Sequence, residues 1–271
     1  MKTRVITALL GVPVLLAALI VRGWFAEILI VALTLIALSE CYKALSAAGY
    51  RVCVWGGYFA AVAMWPLYLL IGELDPLLLL TSAMGISMLG ILLSKEPAFP
   101  DAAASVYPLF TCLMPFSMFM MMLDTMYGRV PGVALITMAF GIAYGCDVLA
   151  YLGGRTFGRH KLCPTVSPKK TVEGAVSGVL GSVLFALAVR AFFVHLLSTP
   201  MPGIPAAILL ALIGSVASQV GDLTASLLKR YSGIKDYGKL FPGHGGVLDR
   251  FDSILAVSIA MMCLTTFVDF F

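Results

Sequence analysis

Ile204-Pro-Ala-Ala-Ile-Leu-Leu-Ala-Leu-Ile-Gly-Ser-Val-Ala-Ser218-Gln-Val-Gly-Asp222-Leu-Thr-Ala-Ser226-Leu-Leu-Lys229-Arg230 is the stretch that decides what kind of chain this is. Residues 204–227 are apolar over a length that crosses a hydrocarbon core about 30 Å thick. Yet Ser218, Asp222, Ser226 and Lys229 recur at helical spacing and share one face. An ionised carboxylate inside an apolar helix is costly unless it meets a partner or a cavity. Packing against another helix could satisfy the stripe, but only with a strong partner for Asp222. The stretch predicts a membrane helix that carries polar chemistry to its C-terminal end.

The rest of the chain reads the same way. Of 271 residues, 61% are hydrophobic and 12% charged. A soluble domain is about 45–50% apolar and about 25% charged, so this composition cannot cover a water-facing surface. We read an all-α, polytopic membrane bundle of nine spans: 5–21, 27–45, 54–71, 76–93, 104–123, 131–152, 173–197, 204–227 and 247–270. Gly72-Glu73-Leu74-Asp75-Pro76 and Pro200-Met201-Pro202-Gly203 are turn chemistry. Pro108 and Pro115 predict a kink in the fifth run. Lys2 and Arg4 before the first run resemble a signal peptide, but Arg22-Gly23-Trp24-Phe25 is not a cleavage site. Residues 1–130 then form an N-terminal membrane region of five helices. Residues 131–271 form a catalytic region of four, with cytoplasmic loops 153–172 and 228–246.

Nine spans put the termini on opposite sides. With the N-terminus inside, 15 of the 18 basic residues fall on the inner side and only Arg22, Arg129 and Arg190 outside. The positive-inside rule therefore predicts a cytoplasmic N-terminus and an external C-terminus. The six cysteines form no C-x-x-C pair and read as small hydrophobes. Gly141/Gly145 and Gly174/Gly178/Ser182 recur at four-residue steps, as at close helix contacts.

Glu40, Asp147, Glu173, Asp222, Asp249 and Asp252 all fall in the cytoplasmic half of this bundle. A path for an ion or solute would place acids at several depths, which weighs against a transporter. Around them, Gly153–Gly174 gathers Arg155, Arg159, Lys161, Lys169 and Lys170. Such charge can serve topology or attract anionic lipid, but neither role needs the accompanying Ser167, Thr171 and His160. His160, among basic residues, is expected to meet anions. His195, at the outer end of its span, is assigned no chemistry. Gly243-His244-Gly245-Gly246 precedes a helix start carrying Asp249 and Asp252, and its amides could hold an anion; an ordinary turn is the plainer reading. Carboxylates that hold Mg²⁺ and cations that neutralise phosphates suit phosphoryl or nucleotidyl transfer. A P-loop is absent from the sequence.

The order Ser226-x-x-Lys229-Arg230, Lys235-Asp236, Pro242-Gly243-His244-Gly245-Gly246, Asp249-Arg250-x-Asp252 resembles the signature of the phosphatidate cytidylyltransferase (CDP-diacylglycerol synthase) family. Phe157-Gly158-Arg159-His160-Lys161-Leu162 and Ser167-Pro168-Lys169-Lys170-Thr171-Val172-Glu173-Gly174 look like its second cytoplasmic motif. One departure is Asp147-Val148-Leu149-Ala150-Tyr151, where the family often has Asp-[Thr/Ser]-Gly-Ala-Tyr.

The resemblance implies that CTP and phosphatidate give CDP-diacylglycerol and pyrophosphate for phospholipid biosynthesis. It implies Mg²⁺, with room for a monovalent cation such as K⁺, and a homodimer without a nucleic-acid partner. The enzyme would sit in a bacterial cytoplasmic membrane, with its site facing the cytoplasm. Asp222 and Asp249 would be metal ligands, acting with Lys229 and Arg250. Lys161, Ser167, Lys169, Lys170, Arg230, Lys239, His244, Gly245 and Gly246 would contact substrate, supported by Asp147, Glu173, Ser226 and Asp252. A CTP-dependent polyprenol-type lipid kinase is the rival enzyme. A CDP-alcohol phosphotransferase is disfavoured, because the sequence has no D-G-x-x-A-R motif.

Overall fold

The structure, a computed structural model, describes residues 23–71, 75–124, 126–127, 130–241, 243 and 245–267. Among the described residues, five helical elements come first: α1 (Gly23–Ala47), α2 (Trp55–Ile71), α3 (Pro76–Leu92), α4 (Phe99–Pro108) and α5 (Met114–Asp124). A π-helical segment, Leu109–Leu113, joins α4 to α5. Strands β1 (Met126–Tyr127) and β2 (Val130–Pro131) pair antiparallel before α6 (Gly132–Phe157). An antiparallel hairpin of β3 (Lys161–Cys163) and β4 (Ser167–Thr171) leads to α7 (Val172–Leu196). Then follow α8 (Ile204–Tyr231) and α9 (Leu248–Phe267).

Among the described residues, five helices are long and apolar enough to cross a membrane: Gly23–Ala47, Phe99–Leu123, Gly132–Phe157, Val172–Leu196 and Ile204–Tyr231. They lie on the second, fifth, sixth, seventh and eighth predicted runs. α2 and α3 lie on the third and fourth but are 17 residues each. α9 lies on the ninth. The predicted run 5–21 is outside the described residues.

Local chemistry sets several boundaries. Asp75 caps α3 by accepting the Leu77 and Leu78 amides at 2.8 and 3.3 Å, and Pro76 fits the first turn. Between Pro108 and Pro115 the helix widens into the π segment, because proline cannot donate to the α-helical ladder. Two predicted helix ends fall short. α6 runs on through Gly153, Gly154 and Arg155 to Phe157, and α8 carries Lys229 and Arg230 in its last turn. At Gly154 a side chain would lie 3.0 Å from Thr171 Oγ1, so the glycines there serve close packing rather than helix breaking.

The chain packs as two compact units, Met1–Met121 with Leu228–Phe251 and Met122–Leu227 with Asp252–Phe271. In the first, Leu38, Met64, Leu109, Leu113 and Phe116 are fully buried. In the second, α6 meets α7 along the predicted small residues. A Cβ on Gly145 would stand 2.7 Å from Gly181 O, and one on Gly181 would strike Gly145 O. Ser182 Oγ donates to Ile142 O at 3.0 Å across the same contact. The exposed side of α7 presents Val176, Leu180 and Leu184 at four-residue steps, an apolar stripe suited to lipid.

Candidate active site

A carboxylate holds the open end of the β3–β4 hairpin. Glu173, in the first turn of α7, accepts the Arg159 amide at 3.0 Å and the His160 amide at 3.2 Å. It also holds His160 Nδ1 at 2.6 Å. The expectation that His160 meets anions is therefore corrected in kind: the anion it meets is Glu173, inside the fold. The Thr171 hydroxyl accepts the Gly174 amide at 3.1 Å and caps α7. Lys169 and Lys170 are consequently presented from a fixed β4.

Both lysines line a cavity of about 350 Å³, wholly within the second unit. Asp147, Tyr151 and Arg155 of α6 form one part of its wall, and Gln219 and Asp222 of α8 another. Lys170 Nζ is ion-paired with Asp222 Oδ2. Ser226 Oγ stands 3.4 Å from Asp222 Oδ1. The strong partner that Asp222 required is thus a lysine across the cavity, rather than a neighbouring helix face alone. Three cationic and two carboxylate side chains share the space, an arrangement that can receive a polyphosphate together with a cation.

Four predicted residues meet here: Asp147, Lys169, Lys170 and Asp222. Lys161 and Ser167 belong to the hairpin but are not on the cavity wall, and Glu173 holds the segment that enters the hairpin. Asp252 Oδ1 accepts the Ser253 amide at 2.7 Å. Arg155, Tyr151 and Gln219 were not singled out as site residues. The signal for Gln219 was its position one helical turn before Asp222. Its Nε2 donates to Ala175 O at 3.2 Å.

The first unit holds a second constellation, at the start of α9. Asp249 has a side chain only 4% exposed. Its Oδ2 accepts the Tyr237 amide at 2.7 Å and the Gly246 amide at 2.9 Å, while Oδ1 holds Lys229 Nζ at 2.9 Å. Lys229 Nζ also lies 5.4 Å from the centre of the Tyr237 ring. Glu40 of α1 accepts the next two amides, Val247 at 3.1 Å and Leu248 at 2.9 Å. The Gly246 amide therefore meets the chain's own Asp249, which corrects the expectation of a free anion cradle at that donor, and the Val247 and Leu248 amides just beyond the glycines meet Glu40. Gly245 O accepts the Phe241 amide at 2.9 Å. Arg230, Lys239 and Arg250 are exposed. Pro242 and His244 lie outside the described residues.

The sequence profile of the Cytidylyltransferase family matches residues 2–268. A phosphatidate cytidylyltransferase of Staphylococcus epidermidis is 34% identical over 268 residues, covering 95% of this chain and 96% of its own. Proteins of the same name from Staphylococcus haemolyticus and Staphylococcus aureus are each 34% identical, over 267 and 270 residues, with the same coverage. With Ser226, Lys229, Gly246 and Asp249 of the signature placed on these two constellations, and with a match that runs nearly from end to end, the chain belongs to the cytidylyltransferase family.

Proposed function

We propose that this protein transfers the cytidylyl group of CTP to phosphatidate, forming CDP-diacylglycerol and pyrophosphate. The observation that carries the reading is the cavity in which Lys169, Lys170 and Asp222 meet beside Asp147. Its volume falls in the range of about 300–1,000 Å³ usual for small-molecule sites. Arg155, Lys169 and Lys170 can neutralise a triphosphate, and Asp222 keeps the Lys170 ammonium in place to do so. The phosphatidate phosphate is already anionic, so its oxygen attacks the α-phosphorus of CTP without a strong general base. A new P–O bond forms, the bond from the α-phosphorus to the bridging oxygen breaks, and pyrophosphate leaves with the electron pair. Orientation and charge neutralisation are the protein's main tasks in such a transfer.

Mg²⁺ is assigned to Asp222 and Asp249, and a monovalent cation such as K⁺ is the second ion of the proposal. The donor chemistry fits: both are hard oxygen donors, and each already stabilises an ammonium within its own unit. Bound Mg²⁺ would supply polarisation of the α-phosphate and stabilisation of pyrophosphate. Lys229 and Arg250 are assigned to phosphate charge, with Lys161, Ser167, Arg230, Lys239, His244, Gly245 and Gly246 as further substrate contacts. We also propose nine spans, a cytoplasmic N-terminus, a homodimer, and a site on the inner face of a bacterial cytoplasmic membrane. The distribution of basic residues supports this orientation.

Purified protein given CTP, phosphatidate and Mg²⁺ is expected to release pyrophosphate and to form a lipid whose mass is that of CDP-diacylglycerol. Release of CDP instead would assign a lipid kinase. Solute flux in sealed vesicles lacking CTP would assign a transporter.

A further inference from the structure

We propose that Glu40 is a positioning residue for this reaction: from α1 it fixes the segment Tyr237–Asp249, and so sets where Asp249 is presented. The inference rests on the cytidylyl-transfer reading. Glu40 lies 186 positions before Ser226, where the signature begins, and no element of the motif includes it.

Three observations converge. First, Glu40 is 6% exposed and its two oxygens accept consecutive amides, Val247 and Leu248, where α9 begins. A carboxylate there is favoured both by unpaired helix-terminal amides and by the helix dipole. Second, two glycines of the segment make room for it. A Cβ on Gly246 would lie 2.5 Å from Glu40 Oε2, and one on Gly238 would lie 2.8 Å from Glu40 Cδ. The backbone has thus been pared down around this one side chain from both sides. Third, the amides are divided between two acids. Asp249 takes Tyr237 and Gly246, and Glu40 takes the next two donors. Without Glu40, two buried donors would need another acceptor, and the nearest acid in the same turn is Asp249. A reoriented Asp249 would also loosen its hold on Lys229. Glu40 touches no reacting group in this reading; it acts through Asp249.

The test uses full-length protein in detergent, with kcat and KM for CTP measured on phosphatidate. Glu40→Gln keeps the buried volume and one acceptor oxygen, but turns an N–H toward an N–H. It is expected to lower kcat about tenfold or more while KM for CTP stays within about threefold, as for a group that acts on alignment rather than on binding. Gly238→Ala should cost about tenfold in the wild-type background and clearly less beside Glu40→Ala, because the carboxyl it strikes has gone and only the 3.1 Å approach to Gly246 Cα remains. Wild-type kcat in Glu40→Gln overturns the inference. So does an equal Gly238→Ala loss in both backgrounds. If Glu40→Ala does not fold, Glu40→Gln carries the test alone. A wild type that forms no CDP-diacylglycerol overturns the reaction itself, whereas an active wild type with an indifferent Glu40→Gln overturns only the role of Glu40.

Discussion

Asp249→Asn should be both inactive and markedly less stable, and the two losses can be separated. The wild-type carboxylate accepts two amides and a lysine ammonium, and the two side chains are only 4% and 13% exposed. Asparagine has one acceptor oxygen, and its amide N–H groups must face either a backbone N–H or the ammonium. Removing one member of a buried ion pair costs about 3–5 kcal/mol, because the other charge stays buried without a counterion. For a chain of this size that corresponds to a fall in unfolding midpoint of roughly 6–20 °C. Thermal unfolding followed by size exclusion in detergent can compare wild type, Asp249→Asn, Lys229→Met and the double variant. The double variant should be more stable than Asp249→Asn alone, since no unpaired ammonium remains, yet it should not recover turnover. A wild-type midpoint for Asp249→Asn, or a double variant showing the full sum of both single losses, would refute the reasoning.

Asp222→Asn should lower turnover by about a hundredfold or more with a stability loss under about 1 kcal/mol, because its ion pair with Lys170 is 28% exposed on both sides; near-normal CDP-diacylglycerol synthesis would defeat the assignment of Asp222. Lys169→Ala and Lys170→Ala should each raise KM for CTP or lower the rate by about tenfold or more, as expected for lost phosphate contacts. Unchanged kinetics in Lys169→Ala would return that lysine to setting topology. Gly181→Ala forces a methyl group against Gly145 O and should destabilise the α6–α7 pair by about 1–3 kcal/mol, read as a lower unfolding midpoint; an unchanged midpoint would contradict the close contact.

Much of the framework was legible because its signals are local. Gly72-Glu73-Leu74-Asp75-Pro76 announces a break by its turn residues, and the apolar runs announce their helices by length. The stripe through Ser218, Asp222 and Ser226 needed only the helical period. Glycine was harder. Gly153 and Gly154 read as a loop, but a glycine pressed against another helix continues a helix as readily as it ends one. The β3–β4 hairpin was missed because its strands are short and Glu173, which holds the chain at Arg159 and His160 just before β3, lies beyond them in the sequence. The partners of acids were hardest of all. Nothing in residues 36–45 says that Glu40 caps a helix beginning at Leu248, since that contact depends on tertiary packing. For the same reason the Gly243–Gly246 segment read as an anion cradle, whereas its Gly246 amide already serves Asp249 and the next two amides serve Glu40.

Position-labelled CTP tests the central claim most directly. Purified wild-type protein is incubated with phosphatidate and CTP carrying label on either the α- or the γ-phosphorus, and the lipid is extracted. Cytidylyl transfer predicts that α-label enters the lipid and γ-label leaves as pyrophosphate. Label reaching the lipid from the γ-position, with α-label left in water-soluble CDP, would contradict it.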